Sequence, residues 1–473
     1  MHLRNKLNDL LALVAGASLT FSFAPYHCWP IAFVSIFVLL ISIRENHCGI
    51  RIWRGWLFGL GHFGTGVSWV YTSMHTYGHV SPLIATSLTA VFIMVLAVFT
   101  ALPCYFYNFH PIETPFQFVR RITIFPLLWL AFEMTREQFL TGFPWLAIGY
   151  SQLNSPLHGF APLIGVYGLG FLVVWSATAV MTSIRSKTLT LKITALLLLL
   201  LLWVSAFRLD EVRWTKPAGK AIPVSIVQAN ITQKMKWNMK DLVQIIMTYN
   251  QLASKAWAPG IMVWPEAALP MTQRQAKKLL KRFGSLAKQH HTSLILGLPH
   301  LIDGKFYNGM VSIGDGNGYY AKRHLVPFGE FSPNISLVQK FIAHYKIPMS
   351  NFTVGSENQP LPKAAGYAFA PFICFEIAFP QLLRDTLPKA RFLVTITDDA
   401  WFGHSNAAAQ HLDIARMRSL ESGRYQIVSM NNGPSAIIDD QGRIISQSAP
   451  NKQMVLHGNI IPMQGKTPWA DLK

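Results

Sequence analysis

Acidic side chains are few in this sequence, 22 against 41 lysines and arginines, which leaves a formal net charge of +19. In a soluble protein such a deficit would direct attention to nucleic acid. Here it is better explained by charges that retain loops on one side of a membrane and by a basic surface facing anionic lipid head groups, so no nucleic-acid partner is expected. Cysteine is scarce, with residues only at positions 28, 48, 104 and 374. Clustered metal ligands are lacking: His290-His291, and His75 with His79, have no matching partners, so neither a metal nor a cofactor is expected. After Leu209, internal repeats and low-complexity segments are absent.

What the chain has instead is apolar sequence, unevenly spread. From Leu10 to Phe207 it runs as apolar stretches broken by short polar loops; after Leu209 it becomes mixed. A helix crosses a bilayer core with roughly 20 apolar residues, or fewer where flanking residues snorkel. Stretches near Leu10 to Ala24, Trp29 to Ile43, Trp56 to Ser73, Pro82 to Phe106, Ile122 to Leu140, Phe160 to Ile184 and Ile193 to Phe207 qualify, which predicts about seven spans. Ala15-Gly16-Ala17 resembles a signal-peptide cleavage site, but apolar sequence continues beyond it and the first stretch reads as an anchor. Arg4 and Lys6, then Arg44, Arg51 and Arg54, then Arg120 and Arg121, then Arg185, Lys187 and Lys192 occupy one set of loops. The alternate loops, 25 to 28, 74 to 81 and 141 to 159, contain no lysine or arginine. Basic loops stay cytoplasmic, so everything after Phe207 is expected on the outer side. Cys374 is then the only cysteine of an exported domain, which excludes a disulfide within that domain and leaves a buried filler or a reactive thiol.

The predicted divisions are a transmembrane helical domain at 1–209, a linker at 210–221 with Pro217 and Gly219, a soluble domain at 222–462 and a tail at 463–473. In the third of these, short β-branched runs alternate with helical patterns, the signature of an α/β domain. Strands are expected at Val224–Val227, Ile261–Trp264, Ser293–Leu296, Met310–Ile313, Ala368–Ile373, Phe392–Ile396, Gln426–Met430 and Ala436–Ile438. Helices are expected near Leu242–Ala256, Gln273–Gln289 and Ala409–Ser422. Glu266, Cys374 and Asp398 each stand at the end of an apolar strand, where ligands collect in open α/β sheets. Taken singly, Glu266 reads first as a helix cap or surface carboxylate, Lys322 as a solvated lysine and Cys374 as buried core filler. Together they would suffice for acyl transfer: a thiol nucleophile, a carboxylate to take and return its proton, and a cation for the tetrahedral oxyanion.

Those residues lie in stretches that carry a resemblance. VWPEAALP at 263–270, KRHLVPFGE at 322–330, ICFE at 373–376, DDAWFG at 398–403 and QHLDIARMRSLESGR at 410–424 resemble the nitrilase superfamily. With FAPYHCWP at 23–30, GTGVSWVYTSM at 64–74 and TGFPWLAIGYSQ at 141–152, the whole chain resembles the apolipoprotein N-acyltransferase family. The resemblance implies an αββα sandwich domain joined to a polytopic membrane domain in a bacterial inner membrane, with the catalytic domain on the periplasmic side. It implies Cys374 as the acylated nucleophile, Glu266 as general base, Lys322 as oxyanion cation, and Glu330 and Glu376 as supporting carboxylates. The implied reaction takes an acyl chain from a phospholipid, typically phosphatidylethanolamine, and passes it to the free amine of an apolipoprotein's diacylglyceryl N-terminal cysteine.

The sequence departs from the family pattern at Asp398-Asp399, where Asn-Asp is commoner, and at Pro434-Ser435; it also ends where an eighth span usually follows. Two other features are ambiguous. Glu133 and Arg136 stand one helical turn apart near the outer end of the fifth stretch, as a structural pair or a head-group contact. The segment Arg274 to Gln289 carries six cations around an apolar stripe, as a surface helix of the domain or a membrane-facing one.

Overall fold

In a computed structural model, residues 2–44, 47–107, 114–332, 351–387 and 389–472 are described. The chain divides into two compact units, one of residues 1–75 and 80–212, the other of residues 76–79 and 213–473.

The first unit is helical: α1 (His2–Leu19), α2 (Pro30–Ser42), α3 (Cys48–Gly66), α4 (Pro82–Phe106), α5 (Pro115–Gln138), α6 (Ala161–Arg185) and α7 (Leu189–Asp210). Among the described residues, three helical segments are long and apolar enough to cross a membrane: α4, α6 with the turn before it from Pro156, and α7. α2 is apolar but short. The remaining helices start earlier than hydropathy predicts because they include charged turns. Arg51 and Arg54, expected in a loop, lie inside α3 and are buried. Arg51 donates to the carbonyl of Tyr105 at 2.9 Å; Arg54 donates to Asp9 at 2.8 Å and to the carbonyl of Ser42 at 2.6 Å. A buried cation is tolerated where it is so paired. Likewise α5 begins at Pro115, before Arg120 and Arg121, behind a capping box of Thr114 and Gln117.

Glu133 and Arg136 are both buried, but each bonds main chain rather than the other. Glu133 Oε1 accepts from the amide of Ile148 at 2.9 Å, and Arg136 Nη1 donates to the carbonyls of Phe143 and Trp145 at 2.6 and 2.7 Å. They clamp the segment that presents Phe143 and Trp145, and Trp145 meets Trp69 edge to face. Close helix approach rests on small residues: a Cβ at Gly16 would come within 1.9 Å of the Phe58 carbonyl oxygen, and one at Gly61 within 2.1 Å of that of Leu13.

The second unit holds strands β1 (Thr215–Pro217), β2 (Ile222–Gln228), β3 (Gly260–Val263), β4 (Thr292–Ile302), β5 (Lys305–Gly314), β6 (Gly318–Ala321) and β7 (Lys363–Ala364). Then come β8 (Tyr367–Ile373), β9 (Phe392–Thr397), β10 (Gln426–Met430), β11 (Ala436–Ile438), β12 (Ile444–Gln447), β13 (Met454–Ile460) and β14 (Met463–Gly465). The longer helices are α8 (Leu242–Ser254), α9 (Lys277–Gln289) and α10 (Ala407–Ser422), beside short helical turns at Gln233–Lys236 and Pro380–Arg384. One sheet has the order β13-β2-β3-β4-β5-β6, the other β12-β11-β10-β9-β8-β7. Alternate residues of a strand face opposite ways, and in the central strands both directions are covered. Val224, Ile226, Ile261 and Val263 pack across to Phe369, Ile373, Val394 and Ile396 between the sheets. Val227, Met262, Leu294 and Leu296 pack outward against Ile245, Tyr249 and Phe283 of α8 and α9. α10 lies against β10 and β11, completing a helix–sheet–sheet–helix sandwich.

Three findings adjust the expectations. The apolar stripe of α9 is used within the unit, with Phe283 and Ala287 buried and Leu279, Leu280 and Leu286 packed on the same core, so the cations around it lie on a surface helix, which begins at Lys277. The expected linker and tail are paired: Thr215, Lys216 and Pro217 oppose Gly465, Gln464 and Met463, and Trp469 beyond them is buried. Pro217 and Gly465 obscure these short strands. The four edge strands β6, β7, β12 and β13 also escape prediction; β12 alternates half-buried with exposed residues and lacks a strong apolar run.

Candidate active site

Strands of both sheets contribute polar residues to one buried network, with Glu266, Cys374 and Asp398 at the carboxyl ends of central strands, Lys322 after the edge strand β6 and Asn308 inside β5. β3 leads through Trp264 and Pro265 to Glu266. Trp264 is fully buried, stacked on Tyr249 with ring centroids 4.7 Å apart and edge-on to Phe283. Burying so large a side chain stabilises by about 2–3 kcal/mol and fixes the strand end from which Glu266 departs. The segment also passes against Gly297 of β4, where a Cβ would sit 2.8 Å from the Glu266 Cα and 2.7 Å from the Ala267 nitrogen; glycine is required there.

Glu266 is 8% exposed. Its Oε1 accepts from the Asn308 amide at 2.7 Å and lies 3.9 Å from Lys322 Nζ; its Oε2 accepts from the backbone amide of Asp398 at 3.0 Å. Burial pushes its carboxyl above the ordinary range, Lys322 opposes that, and the neighbouring Glu330 adds to it. Lys322 follows β6 and is 1% exposed, with Nζ 2.8 Å from Glu330 Oε2. Burial disfavours its charge, but the carboxylates of Glu330 and Glu266 outweigh burial and hold the ammonium protonated, its pKa raised. Glu330 also accepts from Asn308 at 2.7 Å and from the amide of Val326 at 2.8 Å. Asn308 therefore donates both amide protons, one to each carboxylate. It escaped sequence reasoning; the signal was an asparagine inside an otherwise apolar strand.

Cys374 follows β8 in the other sheet and opens a short helical turn, with a left-handed φ of 56°. Burial drives its thiol well above the usual range; the negative charges of Glu266 and Asp399 push the same way, and Lys322 opposes them. The sulfur thus rests as a thiol among these groups, and attack needs a base to remove its proton. Glu376, fully buried, ties the turn to the Lys322 loop. Its Oε2 accepts from the amide of Ile373 at 2.8 Å, and its Oε1 accepts from the Tyr320 hydroxyl at 2.8 Å and the amides of Arg323 and His324 at 2.6 and 3.1 Å.

Asp398 and Asp399, at the end of β9, point apart. The Asp398 carboxylate accepts from Lys236 Nζ at 2.5 Å, Gln233 at 2.9 Å and Asn431 at 2.9 Å. Lys236 in turn donates to the Glu266 carbonyl at 3.2 Å. Asp399 accepts from the Thr397 hydroxyl at 2.9 Å and faces His411 Nδ1 at 3.0 Å. Lys236 and His411 were not singled out from sequence; Lys236 lies in a polar segment that reads as solvated, and His411 is one polar residue of a helix. Among the described residues no group of three or more His, Cys, Asp or Glu could hold a metal ion. A cysteine, a carboxylate of raised pKa and a fixed ammonium, held in a water-poor setting, are a set capable of acyl transfer through a thioester.

Comparison with known proteins adds a separate line. Residues 15–179 match the family described as the apolipoprotein N-acyltransferase N-terminal domain, and residues 223–463 match the carbon-nitrogen hydrolase family. Apolipoprotein N-acyltransferase of Coxiella burnetii is 41% identical over 98% of this chain and 96% of its own length. That of Azotobacter vinelandii is 39% identical over 98% of this chain and 90% of its own. Among solved structures, a carbon-nitrogen hydrolase superfamily protein from Xanthomonas campestris aligns with 51% of this chain and 91% of its own at 15% identity, with a TM-score of 0.39.

Proposed function

The chain belongs to the apolipoprotein N-acyltransferase family, and from that premise we propose that Cys374, Glu266 and Lys322 carry out ping-pong acyl transfer from a phospholipid to an apolipoprotein. The protein is an acyltransferase of the carbon-nitrogen hydrolase superfamily. The observation that carries the mechanism is the buried Glu266–Asn308–Glu330–Lys322 network beside a protonated Cys374.

In the first half-reaction Glu266 takes the thiol proton as Cys374 Sγ attacks the ester carbonyl of a phospholipid, phosphatidylethanolamine by preference. Lys322 bears the negative charge of the tetrahedral intermediate. The C–O bond breaks, Glu266 returns the proton to the departing alkoxide, and a lysophospholipid leaves a thioester behind. In the second, the α-amine of an apolipoprotein's diacylglyceryl-cysteine attacks the thioester. Glu266 takes the amine proton, the C–N bond forms, the C–S bond breaks, and the proton returns to the thiol. Glu330 holds Lys322, and Glu376 holds the turn of Cys374. Both substrates are lipid-anchored, which supports a reading in which residues 1–209 cross a bacterial inner membrane about seven times and residues 222–462 work at its periplasmic face.

The test is mass spectrometry of the purified full-length protein in phosphatidylethanolamine micelles. One acyl adduct on the Cys374 peptide, with an equivalent of lysophospholipid, is expected, and a diacylglyceryl-cysteine peptide with a free amine should discharge it as an amide. Folded protein without the adduct would overturn the mechanism; discharge to free fatty acid at the same rate with or without the amine would make the protein a hydrolase instead.

A pH profile follows from Glu266. A base must be deprotonated to act, and its carboxyl sits above the ordinary range of about 4.3. Activity should therefore fall on acidification at a pH clearly above that value, and kcat/KM measured against pH at constant ionic strength reports it. An acidic limb at or below the ordinary glutamate range contradicts Glu266 as the base.

A further inference from the structure

Cys374 needs a support that the reaction scheme above does not name. A non-glycine residue at φ 56° occupies the sparsely populated left-handed region and stays there only where its surroundings over-determine it. On its N-terminal side the amide of Ile373 is held by Glu376. On its C-terminal side the carbonyl of Cys374 faces His411 Nε2 at 3.1 Å. His411 comes from the second turn of α10 and is 2% exposed; its other nitrogen faces Asp399, at 3.0 Å from Oδ1 and 3.2 Å from Oδ2, and Asp399 is 1% exposed. A carbonyl and a carboxylate both only accept, so the ring donates from both nitrogens, which makes it an imidazolium. Asp399 supplies its counter-charge, and the Thr397 hydroxyl, donating to Asp399 Oδ1, holds that carboxylate in place.

We propose that the Asp399–His411 ion pair is a positioning device for the nucleophile, which locks the main chain of Cys374 in its left-handed turn by gripping the carbonyl. The inference rests on the acyl-transfer reading of Cys374 and extends it to two residues that do not meet substrate. It also gives the adjacent aspartates of the sequence separate tasks. Asp398 serves the Glu266 side, through its own amide and through Lys236; Asp399 serves the Cys374 side, through His411. One strand end, that of β9, thus sets the base and the nucleophile relative to each other. Because a misplacement on the order of 1 Å costs a reaction about 10²-fold, a device of this kind is read in the rate at saturating substrate rather than in binding.

The experiment compares His411→Gln with His411→Asn in the full-length protein in phosphatidylethanolamine micelles. The glutamine amide nitrogen reaches the place of Nε2 and can donate to the Cys374 carbonyl; the asparagine amide reaches only the place of Nδ1. Rapid quenching and peptide mass measurement give the rate of Cys374 acylation over a range of lipid concentrations, at a temperature where each variant is folded. The asparagine variant should acylate about 10²-fold more slowly at saturation with an unchanged half-saturating lipid concentration, and the glutamine variant should recover to within about tenfold of the parent protein. A role in packing alone would lower the Tm of both without separating their rates. Equal rates for the two variants, or an asparagine variant as fast as the parent, overturn the inference while the parent's own adduct stands. A parent protein that forms no adduct overturns the acyl-transfer reading and this inference with it.

Discussion

Cys374→Ala is expected to leave less than about one part in 10³ of the acyl-transfer rate, with no adduct anywhere in the protein and no lysophospholipid released in a single turnover. The size of the effect follows from the absence of another nucleophile in the network. Glu266, Glu330, Lys322 and Asn308 are committed to one another within hydrogen-bonding or ion-pair distance, and Lys322 is held as an ammonium, which has no lone pair to offer. Cys28, Cys48 and Cys104 belong to the helical unit. Alanine keeps the fold, because the helical turn from Cys374 to Ala378 is held by Glu376 and by main-chain bonds that the side chain does not make. The thermal transition should therefore stay close to that of the parent while the rate collapses. Cys374→Ser tests the same point from the other side. Its hydroxyl is far harder to deprotonate than a thiol, and the oxoester it would form is a poorer acyl donor to an amine. A serine variant should form little adduct and should not discharge what it forms. Amide product from Cys374→Ala, measured by mass spectrometry with the diacylglyceryl-cysteine peptide, would remove Cys374 from the mechanism.

How much of this was legible in the sequence differs from residue to residue, for physical reasons. Glu266, Cys374 and Asp398 stand out because a polar residue at the end of an apolar strand interrupts a pattern of period two, and such ends are where an α/β sheet opens. The central strands themselves were legible because, buried on both faces, they are rich in apolar residues, with only scattered small or polar ones such as Ser225 and Thr395. Lys322 follows the edge strand β6 and Glu330 lies in a loop, so only the resemblance of KRHLVPFGE singled them out; nothing in local sequence distinguishes a lysine at 1% exposure from a solvated one. Asn308, Lys236 and His411 were not legible, since each takes its meaning from a partner far along the chain. Asn308 joins residues 42 positions before and 22 after it, and His411 reaches back 37 positions to Cys374. In the helical unit hydropathy placed the apolar middles well and the ends badly. Arg51 and Arg54 are charges that composition assigns to a loop, and only tertiary pairing with Asp9, Ser42 and Tyr105 explains their place in α3.

Lys322→Met is expected to damage folding and activity together, and adding Glu330→Gln should separate the two. Lys322 is the cation between two carboxylates, 2.8 Å from Glu330 and 3.9 Å from Glu266, and those carboxylates are already drawn together by the single amide of Asn308. Replacing it by an isosteric apolar chain leaves two like charges in a nearly water-free site. Removing one partner of a buried ion pair costs about 3–5 kcal/mol, which for a unit of this size lowers the apparent Tm by on the order of 10 °C. Substituting Glu330 by glutamine as well removes one of the two stranded charges and keeps an acceptor for the Asn308 amide, so most of the lost stability should return. The rate should not return. An oxyanion with no cation to meet it loses about 10²–10³-fold whatever the stability of its surroundings, and the double variant has no cation to supply. Differential scanning fluorimetry and single-turnover acylation on the same preparations distinguish the two contributions. A double variant that regained its rate along with its Tm would mean that Lys322 serves only to balance Glu330, and the charge on the tetrahedral intermediate would then have to be met by main-chain amides of the turn that begins at Cys374.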